Sequence, residues 1–435
     1  MKLRAVGTLL SMATASLLAA DQPWTIGNAV EAAMSGGTDA GALRERVEAA
    51  RGLEEAARST LWPRLDLRGS YAQTNGAMPG FGLILGQRTF DNTVDFNRPG
   101  RLDGATAAVD FSYRLYAGGA DTAAIKAREA SRAGAEKQLE ADLNDLTLTV
   151  AKAFLDLRQA SATKAALEAS RTAVAASLKV AEAIEAEGRL LRAERLNLSV
   201  QLAQVEQQLA VAEALVNLSR RRFLILLGRP QEGTAELAPL AMDAAEAPLT
   251  PPAGSLRPEL AAMRARVAAA AAAVDAAGAG HRPTLDLQAT YQHDQGWLRN
   301  GAATSWSTGI VGRLNLFDGH ETAGRQRAAR AELRAAELAL RRLEADLAFD
   351  HERARLGREH AAKRRQVGLL AVRQAEESAA LTRERFQAGK ALSAELITVE
   401  ARLAEARLQL AIAESELISS DLAFRRAAGL PLLPR

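Results

Sequence analysis

The chain repeats itself. Residues 61 to 230 contain LWPRLDLRGSYAQT, FSYRLYAGG, EGRLLRAERLN and RRRFLILLGRP, and residues 281 to 431 contain HRPTLDLQATYQHD, GRLNLFDGH, AGKALSAELIT and DLAFRRAAGLP in the same order. Such self-similarity constrains the architecture before any local reading, because each copy must fold the same way. Pro63, Leu65, Asp66, Leu67 and Tyr71 match Pro283, Leu285, Asp286, Leu287 and Tyr291 at an offset of 220. Leu115, Tyr116, Gly118, Gly188, Phe223, Gly228 and Pro230 match Leu316, Phe317, Gly319, Gly389, Phe424, Gly429 and Pro431 at an offset of 201, so the first copy carries 19 extra residues between Tyr71 and Leu115. The expected organisation is a first repeat at 21–230, a proline-containing linker at 231–256 and a second repeat at 257–435.

Residues 1–20 read as a secretory signal peptide, with Lys2 and Arg4, an apolar stretch from Ala5 to Leu18, and Ala19-Ala20 before Asp21. Without them the chain holds 53 basic and 52 acidic residues, a balance that gives no reason to expect a nucleic-acid partner. There is no cysteine, which excludes disulfides and thiolate metal sites. No later segment supplies about 18 uncharged apolar residues in a row, so a membrane crossing would have to be made by strands.

Residues 64–74 alternate, with Leu65, Leu67, Gly69 and Tyr71 on one face and Asp66, Arg68, Ser70 and Ala72 on the other. Period two is the strand signature. It returns at Val109, Phe111, Tyr113 and Leu115, at Leu285, Leu287, Ala289 and Tyr291, and from Trp306 through Ile310 to Leu316. Each segment has about the ten residues that a tilted strand needs to cross a bilayer. Tyr71, Tyr113, Tyr291 and Trp306 are candidates for an aromatic membrane girdle.

Residues 119–186 and 320–387 contain no proline, and would each run roughly 100 Å as one helix. Leu139, Leu143, Leu146, Val150, Ala153 and Leu157 form a heptad seam in the first. The shorter helices carry matching seams, Leu198 to Leu226 and Val399 to Ala427, and end at Gly228-Arg229-Pro230 and Gly429-Leu430-Pro431. Four strands cannot close a spanning barrel, and open strand edges are not tolerated in lipid. The chain is therefore expected to oligomerise: two copies give eight strands and a filled interior, three give twelve and an open lumen.

With these elements in order, the chain resembles the TolC family of outer-membrane efflux proteins over nearly its whole length. The residues that carry the resemblance are Pro63 and Pro283 opening Pro-x-Leu-x-Leu strands, the turns Tyr116-Ala117-Gly118-Gly119 and Phe317-Asp318-Gly319, and Arg257-Pro258-Glu259-Leu260 opening the second copy. The resemblance implies a mainly α fold with a transmembrane β portion. A homotrimer would build a twelve-stranded β-barrel in outer-membrane lipid, continued by a periplasmic coiled-coil barrel. It further implies docking to a periplasmic adaptor and an inner-membrane transporter, through the tips Gly188, Arg189, Leu190 and Leu191 and Gly389, Lys390, Ala391 and Leu392. Acidic residues six and nine positions after the second-copy glycine line the entrance in some members. Glu395 matches the first and Thr398 departs from the second, with Glu194 and Asn197 as first-copy equivalents. A threefold ring of Glu395 would favour cations; an early-helix acid stabilised by the helix dipole is the alternative reading. Arg114 and Asn315 stand where the family commonly has proline, which leaves the strand-to-helix bend open. The extra segment, 76–100, falls at the outer end of the first hairpin and reads as an extracellular loop that folds over the mouth or contacts its symmetry mates, with a tolerated surface insertion as the alternative.

Catalytic readings fail on spacing. His320-Glu321 and His351-Glu352 lack the second histidine of a zinc-protease helix, and Gly80-Phe81-Gly82 has no Lys-Ser/Thr after it to hold phosphate. No cofactor or enzyme activity is expected. The rival class is a soluble periplasmic coiled-coil adaptor, which shares long hairpins and a signal peptide but has no need of four membrane-length strands.

Overall fold

The computed structural model describes residues 23–95, 97–231, 233–239 and 257–432, so the signal-peptide reading and most of the linker lie outside the described residues. In chain order the elements are α1 (Ile26–Gly36), α2 (Thr38–Arg58), β1 (Arg64–Thr74), α3 (Ala77–Gly86), β2 (Leu102–Tyr116), α4 (Ala120–Ala186) and α5 (Arg192–Leu226). They continue as α6 (Pro258–Ala277), β3 (Thr284–Gly296), β4 (Gly301–Arg313), α7 (Glu321–Gln387) and α8 (Ser393–Ala427). The unit that repeats is thus helix, two strands, long helix, short helix.

Three expectations need correction. Helices α2 and α6 precede the strands in each copy, where only four helices were expected; α2 is charge-rich and α6 about half alanine, so neither shows a stripe of large apolar residues. The segment 76–100 contains a helix, α3. Strand β4 stops at Arg313, leaving Leu314 and Leu316 outside it, because the chain must already turn at Gly319 and His320, both with positive φ, to enter α7.

The chain divides into two compact units, one of residues 47–136 and 261–341 and the other built around 23–46, 137–260 and 342–432. In the first unit the four strands make one antiparallel meander in the order β1-β2-β3-β4, with β1 and β4 as its edges. Register puts Leu67, Val109, Tyr291 and Trp306 in one cross-strand row. One face therefore carries Leu65, Leu67, Tyr71, Tyr291, Trp306 and Ile310, all exposed, as no globular core would leave them. The other face carries Arg68 and Asp110 as an ion pair (3.3 Å) and Thr106 donating to Asp294 (2.6 Å).

Two left-handed glycines make the strand-to-helix bend of the first copy. Register slips between Arg114 and Tyr116, and Gly118 and Gly119 follow with φ of 62° and 83°. A Cβ on Gly118 would sit 2.6 Å from that of Arg282, whose guanidinium donates to the Gly118 carbonyl (3.0 Å). Arg114 instead pairs with Asp286 (3.2 Å).

The second unit is held by an apolar core in which Ala29, Val30 and Ala33 of α1 pack on Val150, Phe154 and Leu157 of α4 and Phe223 of α5. Trp24 closes it edge-on to Phe223, centroids 6.0 Å apart, and pairs as a parallel bridge with Leu237. The segment expected to act only as a linker thus contributes, through Leu237, to the packing of the first copy.

Candidate functional site at the helical tips

Each long helix is stopped the same way. Gly188 and Gly389 adopt φ of 71° and 68°, and the next residue folds back: Arg189 N–H donates to the Ile184 carbonyl (3.1 Å), and Lys390 N–H to that of Arg385 (2.8 Å). This is the glycine-terminated helix cap that satisfies the last carbonyls. Leu191 and Leu392 then take extended conformations and start α5 and α8 as N-cap residues whose own side chains accept nothing from the first N–H groups.

The eight tip residues divide by burial. Leu190 and Ala391 fold inward onto a small core of Ala181, Leu198, Phe386 and Leu396, which joins the two tips of one chain. Leu191 and Leu392 stay 73% and 59% exposed, and Gly188, Arg189, Gly389 and Lys390 are exposed around them. Two leucines held out by the two turns form a small apolar projection, flanked by Lys390 and by Arg189, which pairs with Glu187 (3.0 Å).

The four expected entrance residues do not behave alike. Glu194 is half-buried, and one carboxylate oxygen accepts the Ser393 backbone N–H (3.0 Å) and the Ser393 hydroxyl. It supplies across the tips the cap that α8 lacks from its own sequence. Glu395 lies exposed, 3.6 Å from Arg385. Thr398 spends its hydroxyl on the Ala394 carbonyl (2.7 Å), and Asn197 is exposed. The asymmetry has a local origin, since the first-copy counterpart of Ser393 is Arg192, which offers no short hydroxyl to Glu395.

Further up each hairpin, ion pairs tie the long helix to the short one. Arg195 holds Glu185 (2.6 Å) in the first. In the second, Arg383 donates to both carboxylate oxygens of buried Glu400, and these hydrogen bonds hold the guanidinium pKa above its usual value. Sequence reading missed Ser393 and Arg383; a serine at the first position of α8 was the available signal.

In the sheet, Tyr71, Tyr113, Tyr291 and Trp306 share the apolar face. Tyr291 and Trp306 are direct cross-strand partners, and Tyr71 meets Trp297, which was not expected, at 6.1 Å. Tyr113 and Ala105, the partner of Tyr71, stand eight residues apart on β2, roughly 26 Å along the strand. At the ~40° tilt of a spanning barrel that is about 20 Å along the barrel axis, against an apolar band of roughly 25 Å, and Tyr291 and Trp306 fall between the two levels.

The family model described as outer membrane efflux protein matches residues 35–228 and 252–430. Among solved structures, the outer-membrane channel OprN matches with a TM-score of 0.78 at 22% identity, over 94% of this chain and 91% of that one. VceC from Vibrio cholerae matches at 0.76 and 20%, over 94% and 97%. CmeC from Campylobacter jejuni matches at 0.82 and 14%, over 93% and 85%. At such identities the three structures speak to the fold. Comparison with curated proteins by sequence gives no match.

Proposed function

The chain belongs to the outer membrane efflux protein family, and on that premise we propose that three copies of it form the exit duct of a tripartite export system. It is an outer-membrane efflux channel with a periplasmic helical extension; the trimer, the docking partners and the roles of the tip residues are our reading. The observation that carries it is the sheet: four strands of 11 to 15 residues, two unpaired edges, and one face of exposed Leu, Tyr, Trp and Ile. Lipid tolerates neither open edge, and three such sheets joined edge to edge give twelve strands with the polar face inward.

At the helical tips, Leu191 and Leu392 with Arg189 and Lys390 suit an apolar, partly acidic helical tip of a periplasmic adaptor, which would hand over cargo from an inner-membrane transporter. Glu194 ties the two tips of each chain together, and Glu395 is free to turn from Arg385 toward the threefold axis and favour cations there. A soluble adaptor, the rival reading of the sequence, falls to the membership of both copies in a family of outer-membrane proteins.

The test is the mass of the protein purified from outer membranes in mild detergent, followed by single-channel recording in a planar bilayer. A trimer with discrete conductance supports the duct; a water-soluble monomer or dimer without conductance overturns it.

A further inference from the structure

The outer hairpin of the first copy does more than connect strands. Helix α3 buries Gly80, Ile84 and Gln87, at spacings of four and three, against the ends of β2, β3 and β4. The contacts lie on one side of the sheet. A Cβ on Gly104 would stand 2.5 Å from Leu83 and 3.0 Å from the Gln87 amide, and one on Gly80 would stand 2.8 Å from Leu102. Gly86 faces Asp294 (3.5 Å), while Gly296 and Gly301 leave room for Gln87. Leu102, Gly104, Asp294, Gly296 and Gly301 all belong, by register, to the polar face that carries Arg68, Asp110 and Thr106. Two hydrogen bonds fix the docking: Gln87 donates to the Asp103 carbonyl (2.7 Å) and Arg88 to the Thr304 carbonyl (3.2 Å).

A helix docked on the polar face of a barrel sheet lies inside the barrel. The opposite side of α3 carries Met78, Gly82 and Leu85, again four and three apart, with Met78 80% and Leu85 47% exposed. Facing away from the wall, that stripe faces the axis. Twelve strands at ~4.8 Å spacing and ~40° tilt enclose a bore of roughly 24 Å between backbones. A helix with its side chains is about 10 Å across, so three of them on the wall leave a passage of roughly 4 Å.

We propose that Met78 and Leu85 from three chains form an apolar constriction at the outer mouth, separate from the tip entrance, which limits the passage of small hydrated ions without abolishing it until α3 is displaced. This rests on the trimeric-channel reading. An apolar ring of that width gates by dewetting rather than by charge. The two strands of the first hairpin would close without α3, since Thr74 and Leu102 are already direct partners that an Asn-Gly turn can join.

The experiment is single-channel recording of the native trimer beside a variant with residues 75–101 replaced by Asn-Gly. A second variant, Met78→Cys, is clean because the chain has no cysteine. The expected results are a rise in conductance of about threefold or more in the shortened channel, and loss of at least about half the current when the thiol of the Met78→Cys variant is modified by an anionic reagent from the outer side. Unchanged conductance in a trimeric shortened protein, or a Met78→Cys current indifferent to the reagent, overturns the constriction. If the shortened protein does not assemble, the current of the Met78→Cys variant decides. Absence of channels in the native protein would instead overturn the duct itself.

Discussion

Removing the Glu194 carboxylate should loosen the tips, by an amount that can be worked out from its bonds. It accepts two hydrogen bonds from Ser393, one from the backbone N–H at the start of α8 and one from the hydroxyl. A hydrogen bond to a charged group contributes roughly 1.5–3 kcal/mol when shielded, and less here because Glu194 is only half-buried. Loss of a helix N-cap alone costs about 1 kcal/mol. Glu194→Ala should therefore weaken the join between the two tips by about 1.5–2.5 kcal/mol, a shift of roughly 10- to 70-fold in the ratio of parted to joined tips. Glu194→Gln keeps an acceptor for the N–H and should shift it by a fewfold only. Ser393→Ala leaves the charged acceptor on the N–H and should be the mildest. The assay is the open probability of single channels, with thermal unfolding alongside to separate local loosening from global loss. The ordering Ala, then Gln, then Ser393→Ala is the content of the prediction; equal open probability in all three variants and the native protein would refute the capping argument.

Three further outcomes follow from the geometry. Phe223, fully buried between Trp24 and Phe154, should cost about 3–5 kcal/mol as Phe223→Ala, and limited proteolysis should then cut within residues 23–36 as α1 loses its seat. The half-buried pair Arg383 and Glu400 should show coupling: with Arg383 38% exposed, Glu400→Leu alone should cost about 1–2 kcal/mol in thermal unfolding, and the added Arg383→Met should recover part of it. Asp318 accepts the Thr322 N–H (2.9 Å) at the start of α7, and the bonds from Thr322 hold its carboxyl below the usual range. A depressed carboxyl stabilises the fold above its unfolded pKa, near pH 4, and loses that contribution as pH falls through the folded value. The melting temperature of Asp318→Asn should accordingly fall less than that of the native protein between about pH 4 and pH 2.

The long elements were legible because their signals are local and redundant. A proline-free run ending in Gly188 or Gly389 fixed α4 and α7 to within a residue of their observed bounds. The α5 seam buries Leu198, Val205, Leu209, Ala212, Val216 and Phe223 as its heptad spacing requires. Helix α3 was not legible, since AMPGFGLILG holds three glycines and a proline and reads as a turn; it is helical because the sheet end supplies Gly104 and Leu102 to pack against. The Glu194 cap was hidden for a related reason. Its acceptor and donor are 199 residues apart, and only the packing of Leu198 with Phe386 and Leu396 brings them together. An entrance role for Glu395 is proposed by analogy of position alone, and its pairing with Arg385 depends on a residue whose first-copy counterpart is Ile184.

That last difference belongs to a wider divergence between the copies. In the first, Val150, Phe154, Leu157 and Leu224 are buried, with α1 covering the helical face. At the same four places the second copy has His351, Arg355, Arg358 and Arg425. Apolar cohesion is exchanged for charge, and the charge is organised: Asp421 stands 2.9 Å from Arg358 and 2.7 Å from Arg425, with all three side chains under 20% exposed. Taking those ions out of water costs several kcal/mol each, which an apolar face of the same shape would avoid. One carboxylate between two guanidiniums offsets that cost only while both remain in place, so this face is specified by geometry where the first is specified by volume. Duplication gave the two halves one backbone plan. Divergence then made the first half the one that packs against its own N-terminal helix and the second the one that keeps a polar, ion-paired face.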